Sequence, residues 1–256
     1  YYVTYRCNAK CSFCDIWEKP SPYVTLENVT KNLKDLKAMG VKVIDFTGGE
    51  PLLHREIDAF VKLAHSMGFI TTLTTNTLLY PKYAEKLKGQ VDMLHFSLDS
   101  PVKAEHDASR GVPCFDSLMN SIQIALGLGE RPDILFTVHE GNIHQIAEVY
   151  EKISEPNGLM LLLNPMFEYN SVGSSLSEKA LQELEAWGKK KRVYLNKAFV
   201  TLRRNGGNDI QQPVCKAMSS TVVISPENKL ILPCYHLGLE EVPIENDLLA
   251  LRKSEK

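Results

Sequence analysis

Short apolar segments alternate with amphipathic helical segments along the first 200 residues, and this alternation is the feature that most constrains the fold. Six apolar segments have the length and composition of strands; they are residues 1–5, 41–46, 69–74, 92–98, 134–138 and 159–163. Each is followed by a segment whose apolar residues recur every three or four positions, which predicts a helix. Parallel strands need a crossover connection of this kind, so six successive βα units predict a parallel sheet covered by helices.

The length of the alternating region decides between an open and a closed sheet. A closed eight-stranded barrel takes about 250 residues, whereas the alternation here stops near residue 200. We therefore predict an α/β fold, in which residues 1–200 form a partial (β/α)6 TIM-like barrel and residues 201–256 form a small β-containing appendage. In such folds the chemistry lies in the loops that follow the C-terminal ends of the strands.

The composition excludes several other classes of protein. Hydrophobic residues make up 44% of the 256 residues and charged residues 23%, which is typical of a globular domain rather than of a disordered chain. The net charge of −2 includes no basic excess that would favour nucleic acid as a partner. No apolar stretch reaches the roughly 18–20 residues of a membrane span, and no signal peptide opens the chain. We therefore expect a cytoplasmic protein with no transmembrane segment.

Three of the six cysteines lie within eight residues, directly after the first predicted strand. Cys7, Cys11 and Cys14 have the spacing C-x3-C-x2-C. Cysteine thiolates hold iron–sulfur clusters, and three of them bind three irons of a four-iron cluster while leaving the fourth iron open to another ligand. A structural zinc ion is the alternative, but it normally takes four ligands in paired groups, and no second pair follows nearby. Three unliganded cysteines are a weaker alternative, because intervening residues such as Asn8 and Lys10 are polar.

The cysteine loop, with aromatic Phe13 between its last two cysteines, resembles the signature of the radical S-adenosylmethionine (SAM) superfamily. The resemblance implies that Cys7, Cys11 and Cys14 hold a [4Fe–4S] cluster and that SAM binds the open iron through its amino and carboxylate groups. An electron from the cluster then cleaves the sulfonium and yields a 5′-deoxyadenosyl radical, which abstracts hydrogen from a substrate. Phe13 would pack beside the adenine. A one-electron reductant such as flavodoxin or ferredoxin is the implied partner.

The second predicted strand ends in Gly48, Gly49, Glu50 and Pro51. An ordinary strand-to-helix turn explains the glycines, but not a carboxylate between them and a proline. Glycines let a backbone approach a ligand closely, and a carboxylate such as Glu50 accepts hydrogen bonds from an ammonium group. The segment is similar to the GGE motif of the superfamily, which implies that it binds the amino group of the methionine moiety of SAM.

Polar residues also follow the third and fourth predicted strands. Asn76 follows the third strand, and Ser97 and Asp99 close the fourth. Taken one at a time, such residues often only cap turns or helices. Ser97 and Asp99 alternate along the strand and so share a face, which offers a hydroxyl and a carboxylate to a ribose or methionine group. The resemblance places all three residues around SAM.

Two further residues are assigned to SAM through the resemblance, each with an alternative. Arg110, in the loop before the fourth predicted helix, would meet the SAM carboxylate or else form a surface ion pair. Asn142, after the fifth predicted strand, resembles the residue that many relatives direct at the adenine or ribose, with a structural role as the alternative. His54, His139 and Glu140 are given no role, because a lone histidine near a loop end is more often a structural hydrogen-bonding group.

After residue 200 the pattern changes to a predicted hairpin, which Cys215 and Cys234 flank. The hairpin is similar to the start of the SPASM or Twitch extensions of radical SAM enzymes, in which further cysteines hold auxiliary clusters. The match is incomplete, since no cysteine follows Cys234 and Asn228 stands near the family's glycine. An auxiliary [4Fe–4S] cluster needs about four ligands, and two cysteines with His236 supply fewer, so we expect none.

Together these features predict a radical SAM enzyme that cleaves SAM reductively and abstracts hydrogen from a substrate. Relatives with such extensions act on small metabolites, tetrapyrroles, sugars or peptides, and nothing in the sequence selects among these. Two alternatives belong to other classes, namely a non-catalytic iron–sulfur electron carrier or sensor and a structural zinc protein. The Gly-Gly-Glu turn argues against the carrier, because a carrier needs no pocket for methionine.

Overall fold

The structure, a computed structural model, describes residues 1–166, 176–205, 216–235, 238–245 and 247–254. Cys215 and His236 lie outside the described residues. Seven parallel strands form one sheet in which sequence neighbours are also spatial neighbours; they are β1 (Tyr2–Thr4), β2 (Val43–Gly48), β3 (Ile70–Thr75), β4 (Met93–Leu98), β5 (Asp133–Val138), β6 (Leu161–Pro165) and β7 (Val193–Leu195). The α/β fold class predicted from the alternation is confirmed.

Helices connect the strands and cover the outer face of this sheet. They are α1 (Leu26–Ala38), α2 (Ile57–Ser66), α3 (Tyr80–Leu87), α4 (Lys103–Arg110), α5 (Phe115–Gly127), α6 (Ile146–Val149), α7 (Glu178–Trp187) and α8 (Lys197–Arg204). Thr25 caps α1 by accepting a hydrogen bond from the Asn28 amide, and Ser177 caps α7 through the Ala180 amide. None of the described helices combines the length and the apolar composition that crossing a membrane requires.

The two faces of the central strands differ in polarity. Ile44 and Phe46 on β2, Phe96 on β4 and Phe136 on β5 are buried in a hydrophobic core shared with the helices. Alternate residues face the other way, and near the C-terminal ends of the strands they are polar; they are Thr47, Thr74, Ser97, Thr137 and Asn164. The inner face therefore offers hydroxyl and amide groups at the end of the sheet where the sequence predicted the chemistry.

The sheet has one strand more than the six predicted. β7 pairs with β6 in parallel, with Val193 beside Leu161 and Leu195 beside Leu163. A strand of three residues is too short for an alternating pattern to stand out in the sequence. Pairing with the edge of β6 makes this segment a strand, so only the tertiary structure reveals it.

The C-terminal part forms a three-stranded antiparallel sheet with two short helices; its described elements are α9 (Ala217–Ser220), β8 (Val223–Ile224), β9 (Lys229–Leu232), β10 (Glu240–Pro243) and α10 (Leu248–Ser254). β8 and β9 are the predicted hairpin. Asn228, in the turn between them, has a φ of 60°, in the left-handed region that asparagine tolerates better than most residues. Its side-chain oxygen accepts a hydrogen bond from Asn32 on α1 at 2.7 Å. Asn228 thus suits the turn and also ties this sheet to the barrel.

Candidate active site

The cysteine loop and the C-terminal ends of β2 to β6 surround one cavity of about 310 Å³. Ten of the residues predicted to bind cofactors line it; they are Cys7, Cys11, Phe13, Cys14, Gly48, Gly49, Glu50, Asn76, Ser97 and Arg110. Pro51, Asp99 and Asn142 are not among its lining residues. The fold thus brings the cysteine loop and the Gly-Gly-Glu turn, which are far apart in the sequence, to the same space.

Backbone hydrogen bonds hold the cysteine loop against the end of α4. The amide of Lys10 donates to the Arg110 carbonyl, and the amide of Ser12 donates to the Ser109 carbonyl, both at 2.9 Å. These bonds join two segments that are distant in the sequence. The conformation that turns the thiols toward the cavity therefore depends on the folded barrel.

The three thiols have the chemistry and the spacing that suit an iron–sulfur cluster. Cys7, Cys11 and Cys14 are half-buried and free of disulfides. Burial raises the pKa of the Cys7 thiol to about 11 and also raises the pKa values of the other two, so bound metal would be needed to keep all three as thiolates. Across the described residues, no three metal-ligating side chains converge on a point that one metal ion could occupy. The C-x3-C-x2-C spacing in the sequence suits thiolates that each bind their own iron.

Nitrogen donors approach two of the three sulfurs. The Ala9 amide donates to Cys7 Sγ at 3.4 Å, and Asn76 Nδ2 lies 4.0 Å from the same sulfur. Arg110 Nη1 lies 3.8 Å from Cys11 Sγ. Hydrogen bonds to the ligand sulfurs are among the factors that set the reduction potential of a bound cluster.

Backbone packing requires the two glycines of the Gly-Gly-Glu turn. A Cβ atom on Gly48 would lie 2.1 Å from the carbonyl oxygen of Thr4, and one on Gly49 would lie 2.4 Å from those of Tyr5 and Arg6. Neither glycine has a positive φ, so conformational freedom is not the reason for either. The sequence assigned these glycines to close approach of a ligand, whereas the close approach seen here is to the strand that leads into the cysteine loop. Their contact with SAM stays a prediction.

Glu50 is buried, and three protein donors hold its carboxylate. Oε1 accepts hydrogen bonds from the Leu52 amide at 3.0 Å and from the Thr75 hydroxyl at 2.8 Å. Oε2 accepts one from the Asn76 amide at 2.8 Å. A carboxylate has about four acceptor positions, so one remains for a ligand in the cavity. Pro51 begins the short 3₁₀ turn that Glu50 caps, a position that suits proline.

The burial of Glu50 leads to a pH prediction. Burial raises its pKa from 4.5 to about 7, so the folded chain holds this proton to a higher pH than the unfolded chain does. The stability that this group contributes is fully present below about pH 4.5 and is lost as the pH rises through about 7. We expect Glu50→Gln to remove this part of the pH dependence, which urea unfolding of parent and variant at several pH values would measure. Parallel pH curves for the two proteins would contradict the prediction.

Asp99 and Arg110 form a buried ion pair. Arg110 Nε lies 2.6 Å from Asp99 Oδ2, with the two side chains 9% and 2% exposed, and Nη2 donates to Oδ1 at 2.9 Å. This bidentate pairing fixes the guanidinium plane, whose Cζ lies 5.6 Å from the centre of the Phe13 ring. The sequence placed Arg110 in a loop and left open a SAM contact or a surface ion pair. Arg110 instead ends the helix α4, and the ion pair exists but is buried. Contact of Asp99 or Arg110 with SAM stays a prediction.

Asn142 is buried, and both of its amide hydrogens are used within the protein. Its Nδ2 donates to the carbonyl oxygens of Thr137 at 2.9 Å and Asp99 at 3.0 Å, and its Oδ1 accepts a hydrogen bond from the His139 amide. These bonds link the end of β5 to the residue that follows β4. The predicted contact of Asn142 with adenine or ribose stays a prediction.

Sequence reasoning missed several residues that line the cavity; they are Tyr2, Trp17, Lys19, Thr74, Thr137, Asn164, Met166 and Tyr235. Strand alternation could have found Thr74, Thr137 and Asn164, because each lies on the inner face near the end of a strand. Tyr235, after β9, stacks on Tyr2 of β1 with ring centroids 4.4 Å apart. No local pattern signals that contact, because the two tyrosines lie at opposite ends of the chain.

A comparison with models of known protein families identifies the family of this chain. Residues 1–153, more than half of the chain, match the family model described as the Radical SAM superfamily. The chain belongs to the radical SAM superfamily. The resemblance inferred from the cysteine loop and the Gly-Gly-Glu turn is therefore confirmed. This family uses a [4Fe–4S] cluster and SAM, which are the predicted cofactors.

Curated relatives of this radical SAM chain are named as enzymes. It is similar to GTP 3′,8-cyclase of Sulfurovum sp. (strain NBC37-1), with 35% identity over 167 residues that cover 60% of this chain and 50% of the relative. It is also similar to AdoMet-dependent heme synthase of Nitratidesulfovibrio vulgaris, with 28% identity over 155 residues that cover 58% of this chain and 42% of the relative. The chain thus spans about half the length of these relatives.

Solved structures share the fold of this radical SAM chain. Streptococcus suis SuiB bound to precursor peptide SuiA has a TM-score of 0.81 at 18% identity, covering 98% of this chain and 63% of SuiB. Native anSMEcpe with bound AdoMet has a TM-score of 0.67 at 19% identity, covering 91% of this chain and 72% of that protein. At such identities the likeness concerns the fold alone, and it confirms the partial-barrel architecture.

Proposed function

We propose that this chain cleaves SAM reductively at a [4Fe–4S] cluster and uses the resulting 5′-deoxyadenosyl radical to abstract hydrogen from a substrate. The observation that carries the proposal is the shared cavity of about 310 Å³, which the three thiols, the Glu50 carboxylate and the inner-face hydroxyl and amide groups border. A cavity of this size is in the range of small-molecule sites. Its polar groups provide the acceptors and donors that the amino, carboxylate and ribose groups of SAM require.

In this proposal Cys7, Cys11 and Cys14 hold the cluster, and cluster and SAM together supply the radical when both are bound. Glu50 accepts a hydrogen bond from the amino group of SAM at its remaining acceptor position. Asn76 supports both halves of the site, because its backbone amide donates to Glu50 and its side chain lies near Cys7.

The remaining predicted residues complete the SAM pocket. Ser97 presents a hydroxyl from the inner face of β4, and Phe13 packs beside the adenine. Arg110, held in place by Asp99, lies near Phe13 and Cys11, and in the proposal its remaining N–H groups donate to the SAM carboxylate. Asn142 acts at the edge of this pocket, where it holds the end of β5 close to Asp99.

A non-catalytic electron carrier is the alternative function. A carrier requires a cluster close to the surface but no adjoining space lined by hydroxyl, amide and carboxylate groups. The buried Glu50 carboxylate, whose ionisation burial disfavours, would have no evident use in such a protein. The cavity therefore favours the enzyme.

Several finer features belong to the proposal. We place a domain boundary near residue 200, with the C-terminal residues partly covering the cavity, since Tyr235 contributes to its lining. The proposal also includes a cytoplasmic location and a flavodoxin- or ferredoxin-type protein as the reductant. The relatives act, by their names, on GTP or in heme synthesis, and SuiB binds a peptide, so the substrate class of this chain stays open among nucleotides, tetrapyrroles, sugars, peptides and other small metabolites.

Anaerobic reconstitution followed by reduction in the presence of SAM tests the proposed function. We expect 5′-deoxyadenosine to form, which chromatography would quantify. Omission of the reductant and omission of iron are the controls, and neither should yield the product. A reconstituted, reducible cluster that leaves SAM intact would favour the electron carrier instead.

Glu50→Gln tests the SAM pocket separately from the cluster. The change should leave the iron content intact but weaken SAM binding about 10- to 150-fold, because charge-assisted hydrogen bonds contribute roughly 1.5–3 kcal/mol. Calorimetric titration with SAM would measure the affinity. Asp45→Asn is a control with the same change of charge, since Asp45 lies on β2, the strand before the turn, and does not line the cavity. Equal SAM affinity in the parent and in Glu50→Gln would show that Glu50 does not bind SAM.

A further inference from the structure

Cys7 lies between two spaces. It lines the active-site cavity and also an outer groove of about 570 Å³. Neither Cys11 nor Cys14 is among the described residues that line the groove. Trp17 and Lys19 likewise line both spaces, so the groove approaches Cys7 from outside the cavity along residues that the two spaces share.

The groove and its rim carry exposed cations. Arg6 and Lys19 line the groove, and Lys10 lies beside it over the ring of Trp17, which is itself a lining residue. In the described part of the chain, none of these three cations forms an ion pair with a carboxylate. Glu18 is the carboxylate among the lining residues, so the positive charges outnumber it.

Aromatic rings hold these cations in place. The pairs are Arg6 over Tyr23 at 5.3 Å, Lys10 over Trp17 at 5.3 Å and Lys19 over Tyr235 at 5.1 Å. A cation over an aromatic face keeps its charge and stays accessible to an external carboxylate, unlike a cation in an internal salt bridge. The result is a local positive surface on a chain whose net charge is −2.

We infer that this cationic groove, formed around Cys7 by Arg6, Lys10, Trp17 and Lys19, is the docking surface of an acidic one-electron carrier protein. The inference rests on the proposed function, because a cluster that cleaves SAM must receive an electron. The transfer is a single redox step, in which the carrier loses one electron and the cluster gains one, with no bond formed or broken and no proton moved. Rim charges of this kind act mainly by speeding association with a partner of opposite charge.

The test compares two electron donors on the reconstituted full chain. Stopped-flow absorbance would follow cluster reduction by a reduced acidic flavodoxin and, separately, by the methyl viologen radical cation. In the double variant Arg6→Glu with Lys10→Glu, whose residues do not line the active-site cavity, reduction by flavodoxin should slow about 10-fold or more at low salt, and added salt should reduce the difference from the parent. Reduction by methyl viologen should not slow, because its positive charge is not repelled by the new carboxylates.

A matched control carries the same charge change on α7 and α8, from which no described residue lines the groove. Lys179→Glu with Lys197→Glu, on exposed positions of α7 and α8, should leave both rates unchanged. Equal slowing with both donors in the groove variant would show an effect on the cluster itself and overturn the inference, as would no slowing with flavodoxin. A parent protein that methyl viologen reduces but flavodoxin does not would overturn the docking surface while leaving the proposed function intact. A parent that binds no iron would overturn both.

Discussion

Replacing any one of Cys7, Cys11 and Cys14 with alanine is expected to abolish the iron–sulfur cluster. The reconstituted parent should be brown and hold about four irons per chain, whereas each variant should hold almost none. The physical reason is that each thiolate binds its own iron. Among the described residues, no further cysteine lines the cavity, so a lost ligand has no replacement there. Colorimetric iron and sulfide assays with a visible absorption spectrum would measure the effect.

Cys234 offers a control for the cysteine variants. It is buried after β9 and does not line the active-site cavity, so Cys234→Ala should keep about four irons. Loss of several irons in this variant would reveal an auxiliary cluster, contrary to our expectation from the number of available ligands. A colourless parent whose zinc is lost in the three loop variants would contradict the cluster itself.

Gly49→Ala is expected to have the second large effect, although Gly49 offers no side chain to any ligand. The added Cβ would lie 2.4 Å from two backbone carbonyl oxygens, those of Tyr5 and Arg6, which cannot move aside as a flexible side chain would. Overpacking of this kind typically costs about 1–3 kcal/mol and sometimes more, and we expect a loss at or above the upper end. Because the displaced carbonyls lead directly into Cys7, the variant should also hold less iron.

Urea unfolding of the apo chain and iron content after reconstitution would measure both parts of this prediction. Gly127→Ala is the control, since Gly127 ends α5 with no atom within 4 Å of an added Cβ. That change should leave the iron content intact and raise the free energy of unfolding by about 0.5 kcal/mol. If Gly49→Ala is as stable as the parent and holds the same amount of iron, the close contact of Gly49 with Tyr5 and Arg6 is not what fixes the cysteine loop.

The results expected for the cysteine variants and for Gly49→Ala both depend on the contact between the cysteine loop and the Gly-Gly-Glu turn. The Gly-Gly-Glu turn is predicted to bind SAM, yet its glycines lie against β1 and its glutamate is held by the end of β3. The turn therefore lies between the segment that leads into the cysteine loop and the end of β3, and it contacts both. A side chain added at either glycine is therefore expected to alter the cluster site and the SAM pocket together, whereas Glu50→Gln is expected to affect SAM binding alone.

Local patterns in the sequence were sufficient for most of the fold. The alternation of strand and helix periods predicted the parallel α/β sheet, because each period reports which face of an element is buried. The same patterns missed β7, whose three residues are too few to show a period and which is a strand only through its pairing with β6. The hairpin of β8 and β9 was predicted because its turn residues are contiguous.

The features of the candidate site also divide into those that the sequence predicted and those that only the structure revealed. The amino-acid sequence by itself determined the cysteine loop and the Gly-Gly-Glu turn, because the ligands of each are close together in the chain and their spacing is a local property. Only the tertiary structure decided that Asp99 pairs with Arg110 in the interior, that both amide hydrogens of Asn142 are used by the backbone, and that Tyr235 reaches the cavity. Each of these depends on which distant groups the folded sheet brings within a few ångströms, and hydrogen bonds and ion pairs depend on that distance rather than on separation along the chain.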